Sequence, residues 1–307
     1  MLTHTGISRL SFYAVAMIAL GSISLALPSD GQILHLRADD PTHITTDLNG
    51  NVLSWQNEVG GGQLFTPTAG TGTSPLLVPN AIGTLPAVRF NGIDNVLSSI
   101  GFGTQAQELT LFVVTAPLSN AGLYRDFFSA VDSSTPGHYD YLSGINLDMT
   151  LNGSSTFDRL NLEGAKGGGG GGITLPFNSS FGVYNLLEVG YGDLDDTVYV
   201  NGNNVGGRPG NSNIVSLQDL RIGARYYDNG GGETGYLDGD IAEVLLYDRL
   251  LSDVERQTIE KGLADKYAMP FDTNVPEPGS IALLWAGGFS GAALLARTCL
   301  KKSRKSA

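Results

Sequence analysis

Three carboxylates, Asp238, Asp240 and Glu243, occur close together in the last third of the chain. Two carboxyl groups held about 5 Å apart would suit a retaining glycosidase, one as nucleophile and one as acid. On a regular strand, however, Asp240 and Glu243 face opposite sides of the sheet unless a β-bulge intervenes. We therefore interpret these residues as structural, so we expect no enzyme here, and a secreted glycoside hydrolase is the alternative.

Acidic loop residues could bind calcium as a cofactor, and they are better candidates for a functional site than the three carboxylates above. Carboxylate and carbonyl oxygens suit Ca²⁺, and the sequence offers Asp94 and Asp228 as ligands. Neither residue lies in the spacing of a dedicated calcium loop, and Asp94 also suits turn capping. Asp195 and Asp196 fit solvated charge before a strand.

Aromatic loop residues could bind sugars. Their rings would stack on pyranose faces, while Asp228 and Asn229 would supply hydrogen bonds. The candidates are Tyr139, Tyr141, Tyr226, Tyr227 and Tyr236. The alternative is that alternate tyrosines face the core, as we expect for Trp55.

Other catalytic chemistry has little basis in this sequence. The histidines His35, His43 and His138 are scattered and form neither a triad pattern nor a paired-histidine motif. The single cysteine, Cys299, lies in the C-terminal tail, so the folded part can hold no disulfide and no thiolate zinc site.

Short runs rich in β-branched and aromatic residues must position these side chains. Runs of this kind, separated by Gly, Asn and Pro, predict an antiparallel sandwich or barrel. The predicted strands cover residues 32–37, 87–90, 109–115, 126–131, 184–190, 196–200, 217–223 and 241–247. Asn201-Gly202 predicts a tight hairpin turn, because these residues adopt positive φ readily. Residues 60–86 contain four prolines and predict a long irregular loop, and the six glycines 167–172 predict a loop tip.

One helix is predicted near the end of the β-rich region. Ser252 and Glu255 form the pattern of a capping box, and Ile259, Leu263 and Tyr267 then repeat on one face. We expect this helix to pack on the sandwich.

The two ends of the chain indicate export. Residues 1–26 combine one basic residue with a short apolar run and a small-residue site ending at Ala26, as in a secretory signal peptide. Residues 272–278 read as a linker with Pro276-Glu277-Pro278, residues 279–296 are an uncharged run long enough to span a bilayer, and residues 297–307 are a basic tail expected to stay cytoplasmic.

This order of a Pro-Glu-Pro triplet, a short span and a basic terminus resembles the PEP-CTERM sorting signal of bacteria. The resemblance implies processing by an exosortase near the triplet and delivery to the cell envelope, cell surface or extracellular matrix.

Composition excludes other classes. Glycine makes up 42 of 307 residues and charged residues only 16 %, which argues against a helical bundle or coiled coil. Six of the 18 Lys and Arg residues lie in the end segments, so 12 remain against 30 Asp and Glu. Nucleic-acid binding through phosphate neutralisation is implausible for so acidic a domain.

The stretch from Gly239-Asp240-Ile241 to Tyr247-Asp248-Arg249, followed by the predicted helix, resembles the closing strand and helix of bacterial laminin-G-like, concanavalin A-like jelly-roll domains. Earlier segments such as Phe90-Asn91-Gly92 and Val198-Tyr199-Val200-Asn201-Gly202 also resemble that family and occur in the order expected for it. The resemblance implies an all-β fold of two antiparallel sheets over residues 27–271, with binding loops at one rim. Related glucanases carry Glu-x-Asp-x-x-Glu on a catalytic strand, but Asp238 here replaces its first Glu.

These observations predict an exported, non-catalytic jelly-roll domain that binds a glycan or serves as a structural component. Its expected partners are an exosortase-type enzyme, an envelope or extracellular polysaccharide or surface protein, and the membrane through residues 279–296. A protein–protein adhesion module is a further alternative.

Overall fold

The computed structural model describes residues 27–68, 72–122, 124–135, 137, 139–150, 154–165, 173–227 and 232–271. Its elements, in chain order, are β1 (Gln32–Arg37), β2 (Ile44–Thr46), β3 (Val52–Gln56), β4 (Leu64–Pro67), β5 (Leu76–Ile82), β6 (Leu85–Asn91), β7 (Leu97–Ala106), β8 (Leu109–Pro117), β9 (Arg125–Val131), α1 (Asp140–Ser143), β10 (Ile145–Met149), β11 (Phe157–Gly164), β12 (Ile173–Ser179), β13 (Asn185–Tyr191), β14 (Asp195–Val200), β15 (Asn203–Pro209), β16 (Val215–Ile222), β17 (Arg225–Tyr227), β18 (Gly232–Thr234), β19 (Asp238–Tyr247) and α2 (Asp253–Tyr267).

Two large antiparallel sheets form the layers of a sandwich. The eight-stranded sheet has the order β15-β14-β13-β8-β19-β6-β5, with β1 also paired to β19. The nine-stranded sheet has the order β12-β11-β10-β9-β16-β7-β4-β3-β2. Strands β17 and β18 form a separate two-stranded hairpin. The predicted all-β sandwich is confirmed, and each of the eight predicted strands is present.

The core lies between the inner faces of the two sheets. Apolar side chains alternate along the strands, so one side of each strand fills this core. Trp55 is fully buried in it, as expected from the sequence. Its largest fully buried members include Trp55, Tyr191, Phe65, Phe90, Phe127, Phe128 and Phe157.

A second apolar cluster covers the outer face of the eight-stranded sheet. Helix α2 packs Ile259, Leu263 and Tyr267 against Phe112 and Leu245 of that sheet. The helix begins at the predicted capping box, in which Ser252 and Glu255 each accept a backbone amide of the other. Because strand β8 is therefore covered on both faces, all its residues are buried.

Local turn chemistry explains the predicted hairpin. Asn201 and Gly202 adopt φ values of 52° and 80°, and β14 pairs with β15 on either side of them. Positive φ at both positions is what a tight two-residue hairpin requires.

The prediction of a long irregular loop over residues 60–86 is wrong. Strand β4 pairs with β3 and β7, and β5 pairs with β6 at an edge of the eight-stranded sheet. Pro79 is tolerated because an edge strand does not need every amide for pairing. Asn80 has a φ of 53° and the pairing register shifts between Val78 and Ile82, so the alternation that would reveal a strand is interrupted.

Several predictions lie outside the described residues. These are the signal peptide 1–26 with Ala26, the linker with Pro276, Glu277 and Pro278, the span 279–296, the tail 297–307 with Cys299, the glycine run, His138, Asp228 and Asn229. Of the helices within the described ranges, neither has the length and apolarity needed to cross a bilayer.

Candidate functional site

The outer face of the nine-stranded sheet is polar where strands β9, β10 and β11 meet. In β10 the residues Ile145 and Leu147 point into the core, while Asn146 and Asp148 point outward. Helix α1 and the β17–β18 hairpin lie over this part of the sheet, so even its outward residues are buried. The alternation of apolar and polar residues over 145–149 indicates which face of β10 is polar, although the surrounding region resembles no known family.

Three tyrosines from these covering segments meet in a group, here called the tyrosine cluster. The rings of Tyr139 and Tyr141 stack with centroids 5.0 Å apart and planes within 5° of parallel. The ring of Tyr227, at the end of β17, lies 4.7 Å from that of Tyr139. Tyr227 is 36 % exposed, so the cluster reaches the surface. Burial, together with Tyr227 and Tyr139, raises the pKa of Tyr141.

Beneath the tyrosine cluster, one guanidinium joins three carboxylates in what we call the Arg225 network. Arg225 donates to Asp140 through Nε at 3.2 Å and Nη2 at 3.0 Å. Its Nη1 lies 3.2 Å from Asp148 and its Nη2 3.3 Å from Glu163. Burial raises the pKa of Asp148 to about 7, against the opposing charge of Arg225. The sequence analysis missed this network, because its members come from four separate elements.

Asp140 fixes the tyrosine cluster to the sheet. Its carboxylate accepts hydrogen bonds from the backbone amide of Tyr141 at 2.8 Å and from that of Tyr226 at 3.2 Å. It also accepts from the side-chain amide of Asn146 at 3.2 Å. The two segments that carry the rings are thus bound to one buried carboxylate on the sheet side.

The other tyrosine candidates lie apart from this cluster. The ring of Tyr226 packs against the guanidinium of Arg221 at 4.2 Å, and Arg221 pairs with Glu233 at 3.1 Å. The Tyr236 hydroxyl donates to the Glu233 carbonyl at 3.3 Å, and burial raises the pKa of Tyr236. Sequence reasoning therefore selected Tyr139, Tyr141 and Tyr227 among its candidates but could not tell which of the five meet.

Asp94 lies in a turn built on Asn91. The Asn91 carboxamide oxygen accepts the backbone amides of Ile93 at 2.9 Å and Asp94 at 3.1 Å. The Asp94 carboxylate accepts from Asn91 Nδ2 at 2.8 Å and from Thr73 at 3.2 Å. These contacts fit a turn-capping role, and calcium binding by Asp94 stays a prediction.

One group of three potential metal ligands, Asp40, His43 and Glu58, is present among the described residues. Arg37 lies within it, donating to Asp40 at 3.0 Å and to Glu58 at 2.7 Å. Hydrogen bonds from Thr42 and then His43 lower the pKa of Asp40. The guanidinium thus supplies the positive charge that a cation would otherwise bring.

The carboxylates on β19 occupy the opposite, helix-covered side of the sandwich. The pairing register shifts between Ile241 and Glu243, so the β-bulge that the sequence analysis allowed for is present. Asp240 and Glu243 therefore lie on the same face. Asp240 accepts two hydrogen bonds from Arg89, at 2.6 and 2.8 Å, and one from Tyr184 at 3.0 Å. Its side chain is 3 % exposed.

Glu243 has an equally complete set of partners. It contacts His35 at 2.7 Å, Lys266 at 2.7 Å and the Tyr267 hydroxyl at 2.8 Å. Burial alone would raise the pKa of Glu243, but the His35 hydrogen bond and the Lys266 charge outweigh it and hold the pKa below its usual value. Both side chains are almost fully buried, with 3 % exposure for Asp240 and 2 % for Glu243.

Comparison with solved structures gives the fold class. The chain is similar to the Trypanosoma rangeli sialidase in complex with sialic acid, at 14 % identity and a TM-score of 0.53, over 79 % of this chain and 34 % of the sialidase. The chain therefore spans about a third of that protein. The likeness shows a jelly-roll-like β-sandwich, consistent with a concanavalin A-like fold.

Looser likenesses exist to two further sandwich structures. One is the SAP-like pentraxin of Limulus polyphemus, at 19 % identity and a TM-score of 0.44, covering 56 % of this chain and 79 % of the pentraxin. The other is domain 4 of an extracellular arabinanase from Geobacillus stearothermophilus, solved with arabinotriose, at 15 % identity and a TM-score of 0.48, covering 74 % and 96 %. No protein-family model and no curated protein matches the sequence.

Proposed function

We propose that this protein is an exported, non-catalytic glycan-binding protein of the bacterial cell surface or extracellular matrix. The observation that carries the proposal is the tyrosine cluster, which reaches the surface above the buried Arg225 network. Aromatic rings with polar tips offer apolar faces to sugar C–H groups, and their hydroxyls and nearby carboxylates bond sugar hydroxyls.

The rings are held before any ligand arrives. Tyr139 and Tyr141 flank Asp140, whose carboxylate is fixed by Arg225, and Tyr227 is two residues from Arg225 on the same strand. A rigid aromatic site loses little side-chain entropy on binding, which favours affinity. The surplus of acidic residues over Lys and Arg favours neutral glycans over anionic ones. The sialidase of similar fold was solved with sialic acid, an anionic sugar, so this likeness supports glycan binding in general and not the preference for neutral glycans.

Full-length protein in detergent, applied to a glycan array with calcium and with a chelator, tests the proposal. We expect binding to a neutral polysaccharide that Tyr227→Ala abolishes. Tyr199→Ala is the matched control, because that ring packs on Arg256 at 4.1 Å on the opposite, helix-covered face. Calcium held by Asp94 or Asp228 would make array binding chelator-sensitive.

Three results would favour another function. Absence of glycan binding would favour a protein–protein adhesion module. Release of sugars from a β-glucan panel, lost in Glu243→Gln, would favour a hydrolase. Array binding that Tyr227→Ala leaves intact would place the glycan site elsewhere.

The proposed export route is sorting by an exosortase that recognises Pro276-Glu277-Pro278. Mass spectrometry of the C-terminus of protein isolated from its native host tests this step. Truncation near Pro278 is expected, whereas an intact basic tail would mean a plain single-span membrane protein.

A further inference from the structure

The outer face of the nine-stranded sheet holds a pair of buried carboxylates, of which one, Asp148, also belongs to the Arg225 network. Asp126 of β9 and Asp148 of β10 are register partners in an antiparallel pair. Residues directly opposite each other carry their side chains on the same face, with Cβ atoms about 4.5–5.5 Å apart. Both residues are 0 % exposed.

This pair is short of hydrogen-bond donors. The backbone amide of Phe128 contacts Asp126 only weakly and slightly opposes the rise in its pKa. No described residue donates a hydrogen bond of normal geometry to either oxygen of Asp126 or to Oδ1 of Asp148. Oδ2 of Asp148 is satisfied by Asn161 at 3.2 Å and lies beside Arg225. Burial, followed by the charges of Asp148 and Asp140, raises the pKa of Asp126 well above its usual value.

Further unpaired oxygens belong to residues near Asp148 along the chain or to a residue that contacts them. Asn146 and Thr150 are each two residues from Asp148 along the chain, and Asn120 donates its amide to the Thr150 carbonyl at 3.2 Å. Oδ1 of Asn146, Oγ1 of Thr150 and Oδ1 of Asn120 are buried and have no partner among the described residues. Buried polar atoms are nearly always paired in folded proteins, so this concentration of unpaired oxygens requires an explanation.

The neighbouring arginines do not satisfy these unpaired oxygens. Arg225 already serves Asp140, Asp148 and Glu163. Arg125, next to Asp126 in the chain, donates instead to the carbonyls of Gly92 at 3.1 Å, Tyr236 at 2.8 Å and Ala121 at 3.0 Å. The carboxylates here outnumber the guanidinium that neutralises them.

We propose that Asp126 and Asp148 bind a calcium ion on the outer face of the nine-stranded sheet, with neighbouring amide or hydroxyl oxygens completing the coordination. Two other occupants are possible in principle: a proton shared by the two carboxyls, which would supply one hydrogen-bond donor, or a buried water, which would supply two. A calcium ion takes 6–8 oxygen ligands and also neutralises the excess charge. The site is distinct from the Asp94 and Asp228 candidates and does not depend on glycan binding.

The test uses the full-length protein, stripped with chelator, dialysed and titrated with calcium chloride. Calcium binding is measured by isothermal titration calorimetry and the melting temperature by differential scanning calorimetry. We expect calcium to raise the melting temperature of the wild type, because the ion binds the folded state. Asp126→Asn should weaken calcium binding by more than about tenfold, the scale at which even outer-shell partners act.

Asp94→Asn and Asp40→Asn are the controls, since both remove one carboxylate elsewhere and should leave this binding event intact. With chelator present, Asp126→Asn should melt no lower than the wild type, because the amide keeps the shape of the side chain and adds N–H donors beside the unpaired oxygen of Asp148. Asp148→Asn is a second variant with the same expected loss of binding.

Two results would overturn the proposal. One is a wild type that shows neither heat of binding nor a shift in melting temperature at millimolar calcium. The other is an equal calcium response in the wild type and in whichever of the two variants folds, and either result would leave a shared proton or a buried water to fill the site.

Discussion

The two outer faces of the sandwich both bury carboxylates, but they differ in how those groups are paired. Under helix α2, Asp240 and Glu243 receive donors from Arg89, Tyr184, His35, Lys266 and Tyr267. On the nine-stranded sheet, neither oxygen of Asp126 accepts a hydrogen bond of normal geometry from the described residues, and Asp148 has one unpaired oxygen.

The hydrogen-bond partners of a buried carboxylate say more about its role than its being Asp or Glu does. A buried carboxylate that is paired with donors of the protein stabilises an internal arrangement. A buried carboxylate without partners lowers stability unless something else binds there. Asp240 and Glu243 have several donors each, whereas Asp126, which the sequence analysis did not single out, has none of normal geometry among the described residues.

The largest expected effect is on the helix-covered face. Glu243→Gln should lower the free energy of unfolding by about 3 kcal/mol, because Lys266 and His35 lose the buried charge they contact. Urea denaturation measures the change. Asp126→Asn is the matched amide substitution on the other face, and in chelator it should cause no loss. Equal losses for the two variants would contradict the comparison.

Asp240→Asn should have a smaller effect, about 1–2 kcal/mol. Its partner Arg89 is 42 % exposed, so water can solvate the guanidinium after the bidentate pair is lost. The same denaturation experiment applies, with Asp238→Asn as the control. A loss as large as that of Glu243→Gln would mean that exposure of the partner does not matter here.

The start of α2 should respond to acid. Hydrogen bonds from Arg249 and then Ser252 lower the pKa of Glu255 to about 2, from 4.5 in the unfolded chain. The stability from this lowered pKa is present above pH 4.5 and is lost as the pH falls toward 2. Glu255→Gln should therefore cost about 1 kcal/mol at pH 7 and progressively less below pH 4.5. A cost independent of pH would show that the charge is not responsible.

The smallest effect on stability is expected at the tyrosine cluster. Tyr227 is partly exposed and ends a short strand, so Tyr227→Ala should change the free energy of unfolding by less than about 1 kcal/mol. Circular dichroism melts measure this change. A large loss of stability would assign the cluster to packing rather than to ligand binding.

Local patterns in the sequence predicted the parts of the fold that depend on neighbouring residues. The Asn201-Gly202 turn, the Ser252–Glu255 capping box and the strands with clear β-branched runs all follow from short-range preferences. Edge strand β5 was missed because Pro79 and the positive φ of Asn80 interrupt its alternation.

Meetings between distant segments could not be predicted. Tyr139 and Tyr227 contact each other across 88 positions of sequence, and Asp126 faces Asp148 only because of the pairing of β9 with β10. The bulge that places Asp240 and Glu243 on one face likewise depends on how β19 pairs with β8. The spacing of residues along the chain does not reveal that register.

The last described residue, Phe271, has its ring against Gly202 at the β14–β15 turn, so closely that any β-carbon there would overlap it. This contact is on the helix-bearing layer, and the tyrosine cluster belongs to the other one. If the segment beyond Phe271 anchors the protein, as proposed above, the aromatic side lies on the layer remote from the anchor.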